Sequence, residues 1–182
     1  VIDTGKDETG LGRYSWMLLS GGGKTTRVVT VYNPCEPQGE TAGTTTWDQH
    51  DFFEARGDGR SPRTILFKNL ITKLLLWKSQ GEEIILLGDF NENVYTGRFG
   101  RRLAEEDLNM SEQCLKSTGE HLPATHQRGS RPIDAVFATA GIYCTAVHLL
   151  PHKASTGDHQ CFIVDFEAKS VIGNVFPKVV RA

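Results

Sequence analysis

Three short stretches set acidic or imidazole side chains at the ends of apolar runs. Asp89 follows Ile84-Ile85-Leu86-Leu87 across a single glycine, Asp134 sits inside Pro132-Ile133-Asp134-Ala135-Val136-Phe137, and Asp158-His159 precedes the run from Cys161 to Phe166. Core-forming sequence on both sides makes these anions costly to desolvate unless they pair, bind a metal or accept hydrogen bonds. Gathered at strand ends, they point to a divalent cation or a charged catalytic histidine. Each alone is read as readily as a turn or a helix cap.

The elements that must position them follow from periodicity. Tyr14 to Leu19 and Arg27 to Tyr32 are β-prone runs joined by Ser20-Gly21-Gly22-Gly23-Lys24, a hairpin with a loose glycine turn. Ser61-Pro62 supplies an N-cap and a first-turn proline, after which Phe67, Leu70, Ile71, Leu74 and Trp77 recur at helical spacing until Gly81. Lys68, Lys73 and Lys78 lie off that stripe and read as a solvated face. The continuous run from Ile84 to Leu87 is a central strand buried on both faces. Arg98 to Asp107 reads as a helix. Thr125 to Arg128, Ile133 to Ala138, Tyr143 to Leu149 and Cys161 to Phe166 read as strands. Between Pro34 and Gly59 little periodicity is visible, so a long loop is expected there. Strands outnumber helices without strict alternation, which favours a mixed sandwich over a doubly wound parallel fold.

Composition bounds the rest. A chain of 182 residues, 38% apolar and 23% charged, is one packed domain and neither a disordered tail nor a fibre. The formal charge of −2 leaves no global basic field, so any polyanion must be met by a local patch. Cys35, Cys114, Cys144 and Cys161 are scattered with no close pair, as expected of reduced thiols and not of a cysteine zinc cluster. The most apolar stretch, Leu70 to Trp77, is too short to cross a bilayer and is broken by Lys73. No membrane role and an intracellular site, the nucleus included, are expected. An opening at Val1 and an ending on Arg181-Ala182 lead us to expect a segment of a longer polypeptide.

Four motifs in order carry a resemblance. Val31-Tyr32-Asn33-Pro34, Ile84-Ile85-Leu86-Leu87-Gly88-Asp89-Phe90-Asn91, Arg131-Pro132-Ile133-Asp134-Ala135-Val136-Phe137 and Gly157-Asp158-His159-Gln160 resemble those of the endonuclease/exonuclease/phosphatase (DNase I-like) superfamily. The resemblance implies an α+β fold, a four-layered α/β/β/α sandwich of two mixed sheets packed face to face, here lacking its first strands. It implies one domain over 1–182, with 167–182 as a trailing segment or linker. It also implies a Mg²⁺-dependent hydrolase site, with Mn²⁺ as a substitute. By resemblance, Asp89 orients or deprotonates the attacking water and Asn91 holds that water or a phosphate oxygen. His159 stabilises charge on phosphorus with Asp134 fixing its tautomer, Asp158 is a metal ligand and Tyr32 a phosphate contact. The chemistry agrees, because a phosphodiester repels hydroxide and needs a hard cation, which carboxylates and an amide suit better than thiols do.

Two departures stand out. Gly157 replaces the serine that usually opens the last motif, removing a hydroxyl. The family also draws a metal-binding Glu, with an Asn before it, from strands well upstream of Tyr32, and only about thirty residues precede it here. Glu8-Thr9 resembles that Glu motif superficially but follows no apolar strand, and is not assigned. The expectation is therefore the larger, C-terminal part of the domain, weak in Mg²⁺ affinity alone and completed by an upstream segment of the same polypeptide.

Trp47 to His50, the helix from Pro62 to Trp77 and Gly173-Asn174-Val175-Phe176-Pro177 are similar to endonuclease domains encoded beside reverse transcriptases in eukaryotic mobile elements. That similarity implies DNA as partner, a reverse transcriptase domain downstream, and His126, Arg128 and Arg131 against the phosphate backbone. Arg98, Arg101 and Arg102 form a second patch whose plainer reading is an ordinary helix face. The leading expectation is a DNA endonuclease. A phosphatase of the same superfamily acting on a small or lipid phosphate, and a catalytically silent binding module, are the alternatives.

Overall fold

The computed structural model describes residues 1–37, 44–155 and 157–174. The chain opens with β1 (Asp3–Lys6), β2 (Tyr14–Gly21) and β3 (Lys24–Tyr32). β2 and β3 pair antiparallel to Gly21↔Lys24, so the turn is only Gly22-Gly23, tighter than the sequence suggested. Both glycines have positive φ, 53° and 84°, the backbone that a two-residue hairpin turn needs. β1 was not visible in the sequence: Asp-Thr-Gly-Lys has no strand alternation, and it is held by pairing with the outer edge of β2.

A helix, α1 (Thr45–Glu54), occupies part of the stretch expected to be loop. Its inward face is Thr46, Gln49 and Phe53, so the helical period is written mostly in polar residues and escapes an apolar count. α2 (Pro62–Ser79) forms as expected. Ser61 Oγ accepts from Thr64 N at 3.3 Å, and Ile65, Leu66, Leu70, Ile71, Leu74 and Trp77 are buried. β4 (Glu83–Asp89) then runs parallel to β3, the pair being joined through the two helices.

α3 (Arg98–Leu103) is shorter than the expected Arg98 to Asp107. Beyond it, Arg102 grips the Asp107 carboxylate with two bonds of 2.7 Å, closing a turn where the helix would have continued. β5 (Met110–Glu112) and α4 (Gln113–Thr118) follow, with the Glu112 carboxylate capping the N–H groups of Cys114 and Leu115. β6 (Asp134–Thr139), β7 (Cys144–Leu149), a 3-10 turn (His152–Ala154), β8 (Phe162–Phe166) and α5 (Ala168–Ile172) complete the described elements. Thr125 to Arg128 does not form a strand. It makes a single bridge, His126 to His159.

Six strands form a mixed sheet in the order β1-β2-β3-β4-β6-β5, and β7 with β8 forms a second sheet. Alternation along β4 builds both faces. Ile84 and Leu86 pack with Val29, Val31 and the apolar face of α2, while Ile85 joins Val136, Ala138 and Ile142 beneath Val164 and Phe166 of β8. The result is the expected α+β architecture, a sheet with helices on one face and a second sheet on the other. The second sheet was expected to be mixed. Among the described residues it is one antiparallel pair, whose Val164 and Phe166 pack on the cluster of Ile85, Val136, Ala138 and Ile142 that Val28 of β3 also joins. An apolar cleft of about 770 Å³ remains between the sheets, lined by Leu19, Val28, Leu87, Phe162, Val164 and Ile172. No described helix is long and apolar enough to cross a membrane.

Candidate active site

β4 ends at the site because Gly88 allows it. Its φ of 145° and its closeness to the Val31 carbonyl leave no room for a Cβ, so only glycine lets β3 and β4 run together to their last residues. Asp89 is then flanked by Tyr32 on β3 and by Asp134 on β6. Two carboxylates directly opposed across a ladder repel each other. Such a pair persists where the rest of the fold holds it in place, and here Phe90 does so: its ring is fully buried and its N–H binds Ile133 O at 2.8 Å.

The chain turns sharply past Phe90. Asn91 has a φ of 47°, the left-handed region that asparagine tolerates. Its backbone N–H donates to Asp89 Oδ1 at 2.8 Å, and its amide donates to Asp89 Oδ2 at 2.9 Å and to Asn33 O at 2.7 Å. Asn33 in turn donates from Nδ2 to Phe90 O at 2.6 Å, while its buried Oδ1 has no partner among the described residues. Arg63, from the first turn of α2, braces the loop from outside by reaching Pro34 O at 2.6 Å and Glu92 at 3.3 Å.

His159 Nδ1 lies 2.8 Å from Asp134 Oδ2. With the carboxylate accepting from Nδ1–H, Nε2 is left free to face a substrate. Ligand atoms of Asp89, Asp134 and His159 all lie within 4.8 Å of one another, as do those of His126, Asp158 and His159. Thr125 ties these parts together. Its Oγ1 accepts from the N–H groups of Ile133 and Asp134 at 3.0 and 3.1 Å, and its carbonyl accepts from Gln160 N at 2.7 Å.

Electrostatics match the geometry. Burial, with the Asp134 charge added and the Asn91 N–H opposing, pushes the Asp89 carboxyl up to about 6. Burial works to lower the His159 pKa, but the bond to Asp134 and the charges of Asp134, Asp89 and Asp158 outweigh it and hold the ring above the ordinary imidazole value. The Asp158 carboxyl is held below its usual range by its own backbone N–H and by His126, whose Nε2 stands 3.1 Å away. Burial, then the neighbouring Cys35 and Asp89, raises the Tyr32 phenol.

The structure thus brings together Asp89, Asn91, Asp134, His159, Asp158 and Tyr32. Arg128 and Arg131 are exposed and make no ion pair among the described residues, so both are available to an anion. The second arginine patch is spent on the protein: Arg98 stacks on Phe67, Arg101 binds Thr96 O, and Arg102 pairs with Glu105 and Asp107. Glu8 is on the surface in an ion pair with Lys73, consistent with leaving it unassigned. Sequence reasoning passed over Asn33 and Thr125, and it set His126 against DNA and not against Asp158. Asn33 lies inside a quoted motif and was within reach. Nothing in the sequence joins position 126 to position 158.

No family model matches the sequence, and no curated protein sequence matches it. Solved structures do. The human nocturnin catalytic domain with bound sulfate aligns at a TM-score of 0.53 and 17% identity, over 85% of this chain and 53% of that one. The 3′ phosphatase NExo from Neisseria, bound to a product DNA hairpin, aligns at 0.58 and 15% identity, over 91% and 71%. An AP endonuclease from Archaeoglobus fulgidus aligns at 0.54 and 15%, over 91% and 70%. The chain spans between about half and seven-tenths of the length of these structures. At such identities the likeness concerns the backbone, and it shows that this chain shares the fold of these structures, a DNase I-like fold.

Proposed function

We propose that the chain is the larger part of a Mg²⁺-dependent phosphodiester hydrolase that cuts DNA as an endonuclease. The observation that carries this reading is the meeting of Asp89, Asn91 and the Asp134–His159 pair at one end of the sheet. A hard divalent cation fits the residues present. Asp89 and Asp134 are opposed carboxylates in a half-buried place with no described cationic side chain but histidine beside them, and burial, with the Asp134 charge added, disfavours the ionised Asp89 that a cation would favour. Asp158 would be its ligand, with Asp89 and Asp134 on the other side of His159. Bound there, Mg²⁺ or Mn²⁺ would neutralise phosphate charge and favour an ionised water.

The chain's own residues divide the remaining work. Asp89, once ionised, accepts a proton from the attacking water, and Asn91 orients it. His159 presents Nε2 to the phosphoryl oxygens, where a donor stabilises charge that grows in the transition state. Asp134 keeps the ring in that tautomer. Tyr32, Arg128 and Arg131 meet the phosphates on either side, and the two free arginines support a polymeric substrate.

The wider setting is part of the same proposal: a mobile-element polypeptide acting on nuclear DNA with a reverse transcriptase downstream. Its support is the sequence similarity over Trp47 to His50 and Pro62 to Trp77, which form parts of α1 and α2. The third stretch of that similarity, Gly173 to Pro177, lies mostly outside the described residues, as does much of the expected trailing segment.

One observation favours a second reading. The apolar cleft between the sheets opens at Asp89 and Asp134, which would suit a lipid phosphate. Plasmid nicking in Mg²⁺, assayed with residues 1–182 alone and joined to the segment expected upstream, separates these readings. We expect little nicking by the short chain and robust nicking by the longer one, abolished by Asp89→Ala. Release of phosphate from a lipid phosphomonoester without nicking would favour the phosphatase. Neither activity, from either form, would leave a binding module.

A further inference from the structure

Beside the Asp134–His159 pair stands a second histidine–carboxylate pair, of which the proposed reaction uses Asp158 and leaves His126 without a role. His126 Nε2 lies 3.1 Å from Asp158 Oδ2, and the His126 ring meets the His159 ring edge to face with centroids 5.0 Å apart. A backbone bridge between residues 126 and 159 holds the two histidines side by side, and Gln127 N binds Asp158 O at 2.8 Å. All three residues therefore hang from one small, hydrogen-bonded frame. One nitrogen or oxygen from each of His126, Asp158 and His159 falls within 4.8 Å of the others.

We propose that His126, Asp158 and His159 form a binding site for a borderline divalent cation of the Zn²⁺ type. Two imidazoles and one carboxylate are the donor set that zinc prefers and that Mg²⁺, which wants oxygen, does not. Bonds of about 2.0–2.2 Å from one ion put its ligand atoms roughly 3.3–3.6 Å apart in a tetrahedron, close to the His126–Asp158 separation already present. His159 also has its supporting partner in place. A zinc-bound histidine usually donates its other ring N–H to a carboxylate, and His159 Nδ1 is already on Asp134, leaving Nε2 for the ion.

Binding requires His126 to change tautomer, with no net release of a proton from the ring. His126 Nδ1 accepts from Arg128 N at 3.2 Å, so its proton sits on Nε2, facing Asp158. The ring proton passes through solvent from Nε2 to Nδ1, the long bond from Arg128 N is given up, and the Nε2 lone pair so freed takes the ion. If the proposed hydrolase reading holds, a zinc ion here also takes His159 Nε2 away from the substrate and Asp158 away from Mg²⁺. The binding itself does not depend on that reading.

Two other features compete for zinc and set the controls. His50, Asp51 and Glu54 form an acidic group on α1, but the side chains of Asp51 and Glu54 are 77% and 68% exposed, and His50 Nδ1 has no hydrogen-bond partner among the described residues. Cys35 and Cys161 are exposed thiols. The test is titration calorimetry with Zn²⁺ alone, on the full chain carrying Cys35→Ser and Cys161→Ser. We expect one ion per chain with micromolar affinity. His126→Phe, which keeps a ring against His159 but removes its nitrogens, should weaken binding at least about tenfold, and His50→Ala should leave it unchanged. Circular dichroism of each variant checks the fold. Absence of a stoichiometric event, equal affinity in His126→Phe, or loss of the event in His50→Ala would each overturn the proposal. Because calorimetry reads binding and nicking reads hydrolysis, failure of one inference is distinguishable from failure of the other.

Discussion

Asp89 on β4 and Asp134 on β6 stand directly opposite each other in the antiparallel ladder, so two carboxylates face one another at the end of the central strands. His159 binds Asp134, leaving Asp89 to bear the burial with its pKa pushed up to about 6. A folded-state pKa above the unfolded value means that the folded chain holds a proton the unfolded chain has released. Stability contributed by the protonated form is thus lost as pH rises from about 4 through about 6. Asp89→Asn should raise Tm at pH 8 by about 2–4 °C, the shift roughly 1 kcal/mol produces at this size, and by much less at pH 4. Scanning calorimetry at the two pH values checks it, and an equal shift at both would contradict the pKa assignment.

If Asp89 serves as base, the pH profile should carry its signature. Turnover of an active form should climb as pH passes about 6 and level off above. A profile flat from pH 5 to 8 would remove Asp89 from that role.

The His159 ring is raised above 6.5 chiefly by Asp134 acting against burial. Stability from this pair is therefore fully present below about 6.5 and is lost as pH rises through the raised value. Asp134→Asn should bring the ring pKa down, read by proton NMR of the histidine C–H resonances. It should also cut turnover by about 10²-fold or more through loss of the tautomer. An unchanged histidine titration would show that the 2.8 Å contact does not govern the ring.

His159→Ala should cost roughly 3 kcal/mol of transition-state stabilisation, about a hundredfold or more in rate, with the fold retained. His148 on β7 and His152 just after it make no side-chain hydrogen bond or ion pair with the site residues among those described and should tolerate the same change. Comparable losses for all three would indicate general destabilisation.

Gly88→Ala should be the most disruptive single change near the site, by about 3 kcal/mol or more, since the new methyl group meets the Val31 carbonyl on a backbone alanine does not favour. Urea denaturation measures it. A loss below about 1 kcal/mol would show that β3 and β4 can part there.

Much of this was legible in the linear chain wherever structure depends on near neighbours. The stripe of α2 and its Ser61-Pro62 start, the doubly buried run of β4, and the carboxylates at the ends of β4, β6 and β8 are local patterns, and they led to the right elements and fold class. Elements held by partners distant in sequence were not legible. β1 exists because β2 offers it an edge, α1 buries Thr46 and Gln49 that count as polar, and Thr125 to Arg128 becomes a strut because its carbonyl and hydroxyl are taken by Gln160 and Asp134. The same division runs through the site. Residue types announced acid, amide and imidazole chemistry, but the opposition of Asp89 to Asp134 and the joining of His126 to Asp158 depend on strand register and on a bridge thirty-three positions long, from residue 126 to residue 159. Register and bridges are settled by how whole sheets pack, and no local spacing encodes them.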